Sequence, residues 1–183
     1  AAMLTMENVE KILEYSQRSS FDVASDAFET FRELIFLGDH QASEEFLVNN
    51  FDDFFKLIHQ LLSTEQYFVH RQLLVFLHDL LSSDHFPRVH TKYIANEENL
   101  MLVMKQLVKS TEAIKHDAMK ILIIFILSPA RSETGNKILV KNQGKIIGLV
   151  EGFNLPDVDE EDMQEQKEMV ITHLKKITTQ TSQ

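Results

Sequence analysis

An all-α fold made by repetition is what this sequence of 183 residues predicts, and three observations predict it. Glycine and proline are scarce, at five and three residues. Apolar residues recur three and four positions apart, the helical period, and strict alternation over five or more residues is hard to find. The same apolar pattern also returns every 45 to 46 residues. Segments 21–35, 67–81 and 112–126 align so that Val23, Val69 and Ile114 correspond, then Ala27, Leu73 and Ala118, then Phe31, Leu77 and Leu122, then Leu34, Leu80 and Phe125. A period of this size marks stacked units, none of which buries its own apolar face alone.

Taken in order, Val9, Ile12 and Leu13 read as the last helix of a preceding, incomplete repeat at 4–17, with the N-terminal end expected to be a cut surface of a longer protein. Repeats follow at 20–62, 64–108 and 110–153. Their long first helices begin at short polar residues able to cap orphan amides: Ser20, then Ser63 or Thr64, then Ser110 or Thr111. They end near Gly38, Ser82-Ser83 and Ser128-Pro129. A second and a third helix follow in each copy, and the corner between them carries Asn50, Asn96 and Asn142, spaced by 46. Asparagine tolerates left-handed backbone at such a corner and caps the next helix. Leu47, Tyr93 and Leu139 precede the corner; Leu57, Val103 and Leu149, then Leu61, Leu107 and Phe153, line the third helix, which ends near Gly152. Pro156 and the acids from Asp157 to Asp162 lead into a closing helix at 160–177. Its acidic start and its Lys175-Lys176 end complement the macrodipole. The remaining residues, 178–183, are expected to fray. The whole reads as a single helical-repeat domain, a right-handed solenoid of armadillo/HEAT-like three-helix repeats, which makes grooves rather than pockets.

Composition narrows the function. With 18 Lys and Arg against 28 Asp and Glu, the formal net charge is −10, which argues against nucleic acid as the partner. The absence of cysteine removes disulfides, cysteine nucleophiles and thiolate zinc sites, and fits a reducing compartment. The longest apolar run, Ile121 to Leu127, has seven residues, short of the roughly 18 to 20 of a membrane span. The start lacks the pattern of a signal peptide, so a cytoplasmic protein is expected. No nucleophile elbow, phosphate loop or His-Glu-x-x-His is present, so neither catalytic residues nor a cofactor is expected and the protein reads as a non-enzyme. Asp157, Asp159, Glu161 and Glu168 match oxygen-ligand positions of a calcium loop, but Asp162 stands where that loop needs glycine, and a solvated helix start is the better reading. His70 with His78, and His85 with His90, lack zinc spacing.

Two places carry more apolar or aromatic character than a core row needs. Tyr67, Arg71 and Val75 are four apart and share one side of a helix whose other side carries Val69, Leu73, Leu77 and Leu80. A Tyr over an Arg beside an apolar residue is a composition enriched in binding hot spots. The alternative is a Tyr packed under an adjacent repeat with Arg71 merely solvated. Between Asn99 and Val108, the residues Leu100, Met101, Val103, Met104, Leu107 and Val108 exceed what one stripe can bury. Methionine there suits either a partner's aromatic group or the core.

The run Ser20-Phe21-Asp22-Val23-Ala24-Ser25-Asp26-Ala27-Phe28-Glu29-Thr30-Phe31, then Thr91-Lys92-Tyr93-Ile94 with Glu98-Asn99-Leu100, then Ile138-Leu139-Val140-Lys141-Asn142-Gln143, resembles the Mo25 scaffold family, also called calcium-binding protein 39. The resemblance spans roughly residues 7–176 and corresponds to the C-terminal part of the family fold. It implies a scaffold that catalyses nothing itself and that binds kinases and pseudokinases and holds them active: STRAD-like pseudokinases, LKB1-type complexes and Ste20-like kinases. It further implies a concave surface that grips a kinase domain near its C-helix, and a hydrophobic pocket that takes a Trp-Glu-Phe tail motif. By resemblance Tyr67 and Arg71 fall on kinase-contact positions, Met104 in the tail pocket and Lys141 on a nearby basic position. Val75 stands where the family usually carries lysine, and the connector from Ser82 to Pro87 departs from a stretch that usually holds arginine. The alternative is a general acidic helical-repeat adaptor for unrelated proteins or peptides.

Overall fold

The computed structural model describes residues 4–109, 111–154 and 158–181. Ten α-helices and no strand occur among them: α1 (Met6–Tyr15), α2 (Phe21–Phe36), α3 (His40–Asn49), α4 (Phe51–Leu61), α5 (Tyr67–Ser82), α6 (Pro87–Ala95), α7 (Glu97–Lys109), α8 (Glu112–Leu127), α9 (Glu133–Glu151) and α10 (Glu160–Thr181). The chain divides into two compact units, Ala1–His90 and Thr91–Gln183, so the division falls inside α6. None of these helices is long and apolar enough to cross a membrane.

In the first unit each of the first four helices packs on the next in sequence, α1 on α2 through α4 on α5. An aromatic cluster holds α2, α4 and α5 together: the Phe31 ring lies 4.6 Å from Phe76, 5.6 Å from Phe28 and 6.3 Å from Phe54. The buried row of α2 is Ala24, Phe28, Phe31 and Ile35, one residue along from the expected Val23, Ala27 and Leu34, which are partly or largely exposed. The aligned helix α5 buries both rows, Val69, Leu73, Leu77 and Leu80 as well as His70, Leu74 and Leu81. α2 buries the row containing Phe28, because a phenyl ring removes far more apolar area from water than the methyl of Ala27.

Ser20 and Thr111 stand at the starts of α2 and α8 as expected but make no side-chain capping hydrogen bond there. Ser63 and Thr64 do not cap α5; the Ser63 hydroxyl donates to the His59 carbonyl at 2.9 Å and the Thr64 hydroxyl to the Leu61 carbonyl at 2.8 Å, closing the end of α4. The helix therefore begins two residues later than Glu65, after Gln66. Asn50 ends α3 and starts α4 with φ −111°, not in the left-handed region, and Asn96 caps α7 by accepting from the Glu98 amide at 2.9 Å. The corner expected at Asn142 is absent, since α9 runs unbroken from Glu133 to Glu151. Acids follow the first two asparagines, Asp52-Asp53 and Glu97-Glu98, and favour a new helix N-terminus; Gln143-Gly144-Lys145 follows Asn142 and supplies none.

The second unit packs α7 on α8 and α9, with α10 laid against α8 and α9. Tyr93 is buried against Phe125 at 6.1 Å, and burial pushes its phenol well above its ordinary range. Leu47, Tyr93 and Leu139, the residues that precede the three asparagines, are all fully buried. The His116 ring lies 2.9 Å from the Gln166 side-chain oxygen, a polar contact between α8 and α10. Asp159 caps α10 by accepting from the Glu161 and Asp162 amides at 2.9 and 3.3 Å, so its carboxylate serves the helix start. Lys175 and Lys176 lie more than a turn inside α10, which continues to Thr181. Ser110, Pro156, Asp157 and residues 182–183 lie outside the described residues.

Burial pulls the His59 imidazole below its ordinary range. The native chain then stays neutral there while the unfolded chain takes up a proton, so stability is lost as pH falls below the unperturbed imidazole value of about 6.5. Urea melts at pH 7.5 and 5.0 should show a smaller acid-induced loss for His59→Gln than for the parent chain; equal losses would remove His59 from the pH response.

Candidate functional site

The sequence-predicted residues lie on two surfaces, one on each unit. On the first, the α5 row opposite the buried Leu73, Leu77 and Leu80 presents Tyr67 at 50% exposure and Val75 at 36%, with Arg71 half-buried between them. The i, i+4, i+8 spacing places all three on one side of the helix. Beside them the first residue of α2, Phe21, is 66% exposed and meets Phe68 edge to face at 5.1 Å. Tyr67, Phe68 and Phe21 thus form a solvent-facing aromatic patch at the starts of α2 and α5. The sequence reading passed over Phe21, although it stands one 46-residue period before Tyr67 and opens its helix in the same way.

On the second unit, α7 and α9 leave a trough of about 450 Å³ between them. Met104, Leu107 and Val108 line one side; Asn142, Gly144, Lys145, Ile146, Gly148 and Leu149 line the other. Val108 is 66% exposed and leaves apolar surface facing water at the side of the trough. A Cβ placed on Gly144 or Gly148 would meet nothing within 4 Å, so the α9 wall is low at both positions. Lys141 is exposed but does not line the trough; Lys145, one turn further, does. Lys137 is held by Glu133 at 2.8 Å, and that hydrogen bond keeps the Glu133 carboxyl below its usual range. Asn142 turns its amide back on α9, donating to the Ile138 carbonyl at 2.8 Å. The trough is therefore apolar along its length with lysine at its margin, in a chain that is acidic overall.

The sequence-predicted residues thus divide between the units: Tyr67, Arg71 and Val75 on α5, Met104 on α7 and Lys141 on α9. Sequence reasoning missed Lys145 and the two glycines, because only an unbroken α9 brings positions 142–149 alongside α7. Among the described residues no three His, Asp or Glu side chains gather as a metal-binding set.

Comparison with known proteins gives these surfaces a context. A calcium-binding protein 39-like protein of Homo sapiens is 35% identical over 162 residues, covering 88% of this chain and 48% of the relative, and its Mus musculus counterpart matches to the same extent. A Mo25-like protein of Schizosaccharomyces pombe is 34% identical over 161 residues, covering 88% of this chain and 49% of its own. The chain spans about half the length of the curated relatives it matches. A crystal structure of an engineered protein superimposes with a TM-score of 0.58 at 14% identity over 93% of this chain and 64% of the other, a likeness of helical-repeat fold alone. A family profile described as Mo25-like matches residues 1–178, and the chain belongs to that family.

Proposed function

We propose that this chain is a non-catalytic scaffold that binds a protein kinase or pseudokinase domain through the α5 face and an aromatic tail peptide of Trp-Glu-Phe type in the α7–α9 trough. The repeats of that scaffold are 20–62, 64–108 and 110–153, closed by the helix beginning at Glu160. The observation that carries the reading is the trough itself. Its volume is in the range that takes a ligand group of aromatic size, its walls are apolar, and its lysine margin suits an acidic residue flanked by aromatics. STRAD-like pseudokinases, Ste20-like kinases and LKB1-type complexes are the partner class, and the cytoplasm is the compartment in which they would be met.

Activation would follow from linkage. A kinase is active when its C-helix places a glutamate against the ATP-binding lysine, and a scaffold that binds this arrangement better shifts the population toward it. A differential affinity of about 1 to 3 kcal/mol changes the ratio of states roughly 5- to 150-fold. A tail anchored in the trough would also raise the effective concentration of the kinase domain at the α5 face.

Fluorescence polarisation with a labelled peptide ending in Trp-Glu-Phe, and a control with Ala at both aromatic positions, tests the reading. Saturable binding lost in the control is expected; equal behaviour of the two peptides would leave the general adaptor as the reading to pursue. Met104→Ala should weaken the peptide by about 1 to 2 kcal/mol, and Tyr67→Ala or Arg71→Ala should weaken the kinase domain by a similar amount, without lowering helicity. A fall in melting temperature with unchanged affinity would reassign the residue to structure.

A further inference from the structure

We propose that Met104 is a reversible oxidation site through which a peroxide lowers the affinity of the α7–α9 trough, an inference that rests on the tail-peptide reading above. The chain contains no cysteine and no tryptophan, so its thioethers are its most readily oxidised side chains. They differ sharply in access. Met119 and Met163 are buried at 0% and 6% exposure, whereas Met101 is 45% exposed and Met104 is partly exposed. Met6 and Met169 are partly exposed as well, and among the described methionines Met104 is the one that lines the trough, beside Leu107 and Val108 and across from Ile146 and Leu149.

The chemistry balances with a hydroperoxide as oxidant. The Met104 sulfur donates an electron pair to one peroxide oxygen, the O–O bond breaks and an S–O bond forms. The other oxygen leaves as water or alcohol after taking up the transferred proton, so sulfur loses two electrons and the peroxide gains two. The product is a polar sulfoxide set into an apolar wall, where an aromatic side chain would otherwise meet a soft, polarisable thioether. Methionine sulfoxide reductases reverse the change, which makes the trough switchable and not merely damaged.

The test uses the full chain, hydrogen peroxide removed with catalase before peptide is added, and mass spectrometry to place each sulfoxide. Met101 and Met104 should oxidise well ahead of Met119 and Met163; Met104 oxidising no faster than those two overturns the proposal whatever the peptide does. The treated chain should bind the Trp-Glu-Phe peptide at least about fivefold more weakly than the untreated chain, with binding restored by the reductases. Met101→Leu should leave that sensitivity in place. In Met104→Leu, whatever its starting affinity, the ratio of affinities before and after peroxide should be close to one. Unchanged affinity of the oxidised parent, or loss of affinity that persists in Met104→Leu, overturns the switch while the peptide reading stands. An untreated chain that does not bind overturns the peptide reading and the switch with it, and the oxidation rates then still report Met104 as the reactive group or not.

Discussion

Replacing Phe31 with alanine should lower the free energy of unfolding by about 3 to 5 kcal/mol. The side chain is fully buried and meets three other phenylalanines, one on its own helix and two on α4 and α5. Its removal forfeits the transfer energy of a phenyl ring and leaves a cavity whose walls are themselves rigid rings, which cannot collapse far. Against a total stability of about 5 to 15 kcal/mol for an ordinary domain, this is a large share. Urea unfolding should show the midpoint falling steeply with the slope little changed. Phe31→Leu should recover more than half of the loss, because most of the volume returns. Phe21→Ala on the same helix is the contrast: its ring faces solvent, so stability should move by less than about 1 kcal/mol while kinase-domain binding weakens. A loss under about 1.5 kcal/mol at Phe31 would mean that the aromatic cluster is not the element joining α2 to α4 and α5.

What the sequence made legible follows from which physical signals are local. The helical class came from the scarcity of glycine and proline together with apolar spacing and its repetition, and the residues before the three asparagines, Leu47, Tyr93 and Leu139, are all buried as a core position requires. The exact row of α2 was not legible, because alignment to α5 transfers a position but not the choice between two adjacent apolar rows; the size of Phe28 makes that choice. The corner expected at Asn142 does not form because asparagine alone does not start a helix; the acids after Asn50 and Asn96 are what begin a new one. At the candidate surfaces, the α5 face followed directly from periodicity. Phe21 could have followed from the same period, applied to surface residues as it was to the core. The α7 wall of the trough followed from the surplus of apolar residues at Met104, Leu107 and Val108; the α9 wall could not, since Lys145, Gly144 and Gly148 gain meaning only when α9 lies beside α7.

The least legible residue is Arg131, and its replacement by alanine should cost about 2 to 3 kcal/mol, the scale of hydrogen bonds made by a charged donor. In sequence it is one more basic residue in a connector. In the fold its guanidinium closes the end of α8: Nη1 donates to the carbonyls of Phe125, Ile126 and Ser128, and Nε donates to the Asn136 side chain on α9. Partial burial pulls its pKa down from the ordinary guanidinium range, yet an arginine so placed remains charged. Two of the carbonyls it serves, Phe125 and Ile126, belong to the last turn of α8, where carbonyls have no intrahelical partner, and the third is that of the C-cap Ser128. Gly135 makes room for it, since a Cβ there would lie 3.0 Å from the Arg131 Cγ, so Gly135→Ala should produce a smaller version of the same defect. Because Asn136 belongs to the helix that walls the trough, the loss should also reach function. In Arg131→Ala, amides at the start of α9 should exchange faster and the Trp-Glu-Phe peptide should bind more weakly, although Arg131 does not line the trough. Arg131→Lys keeps the charge but cannot reach three carbonyls and Asn136 at once, and should restore less than half of the stability. Full recovery by lysine would show that charge at the helix end, and not the fork of donors joining α8 to α9, is what Arg131 supplies.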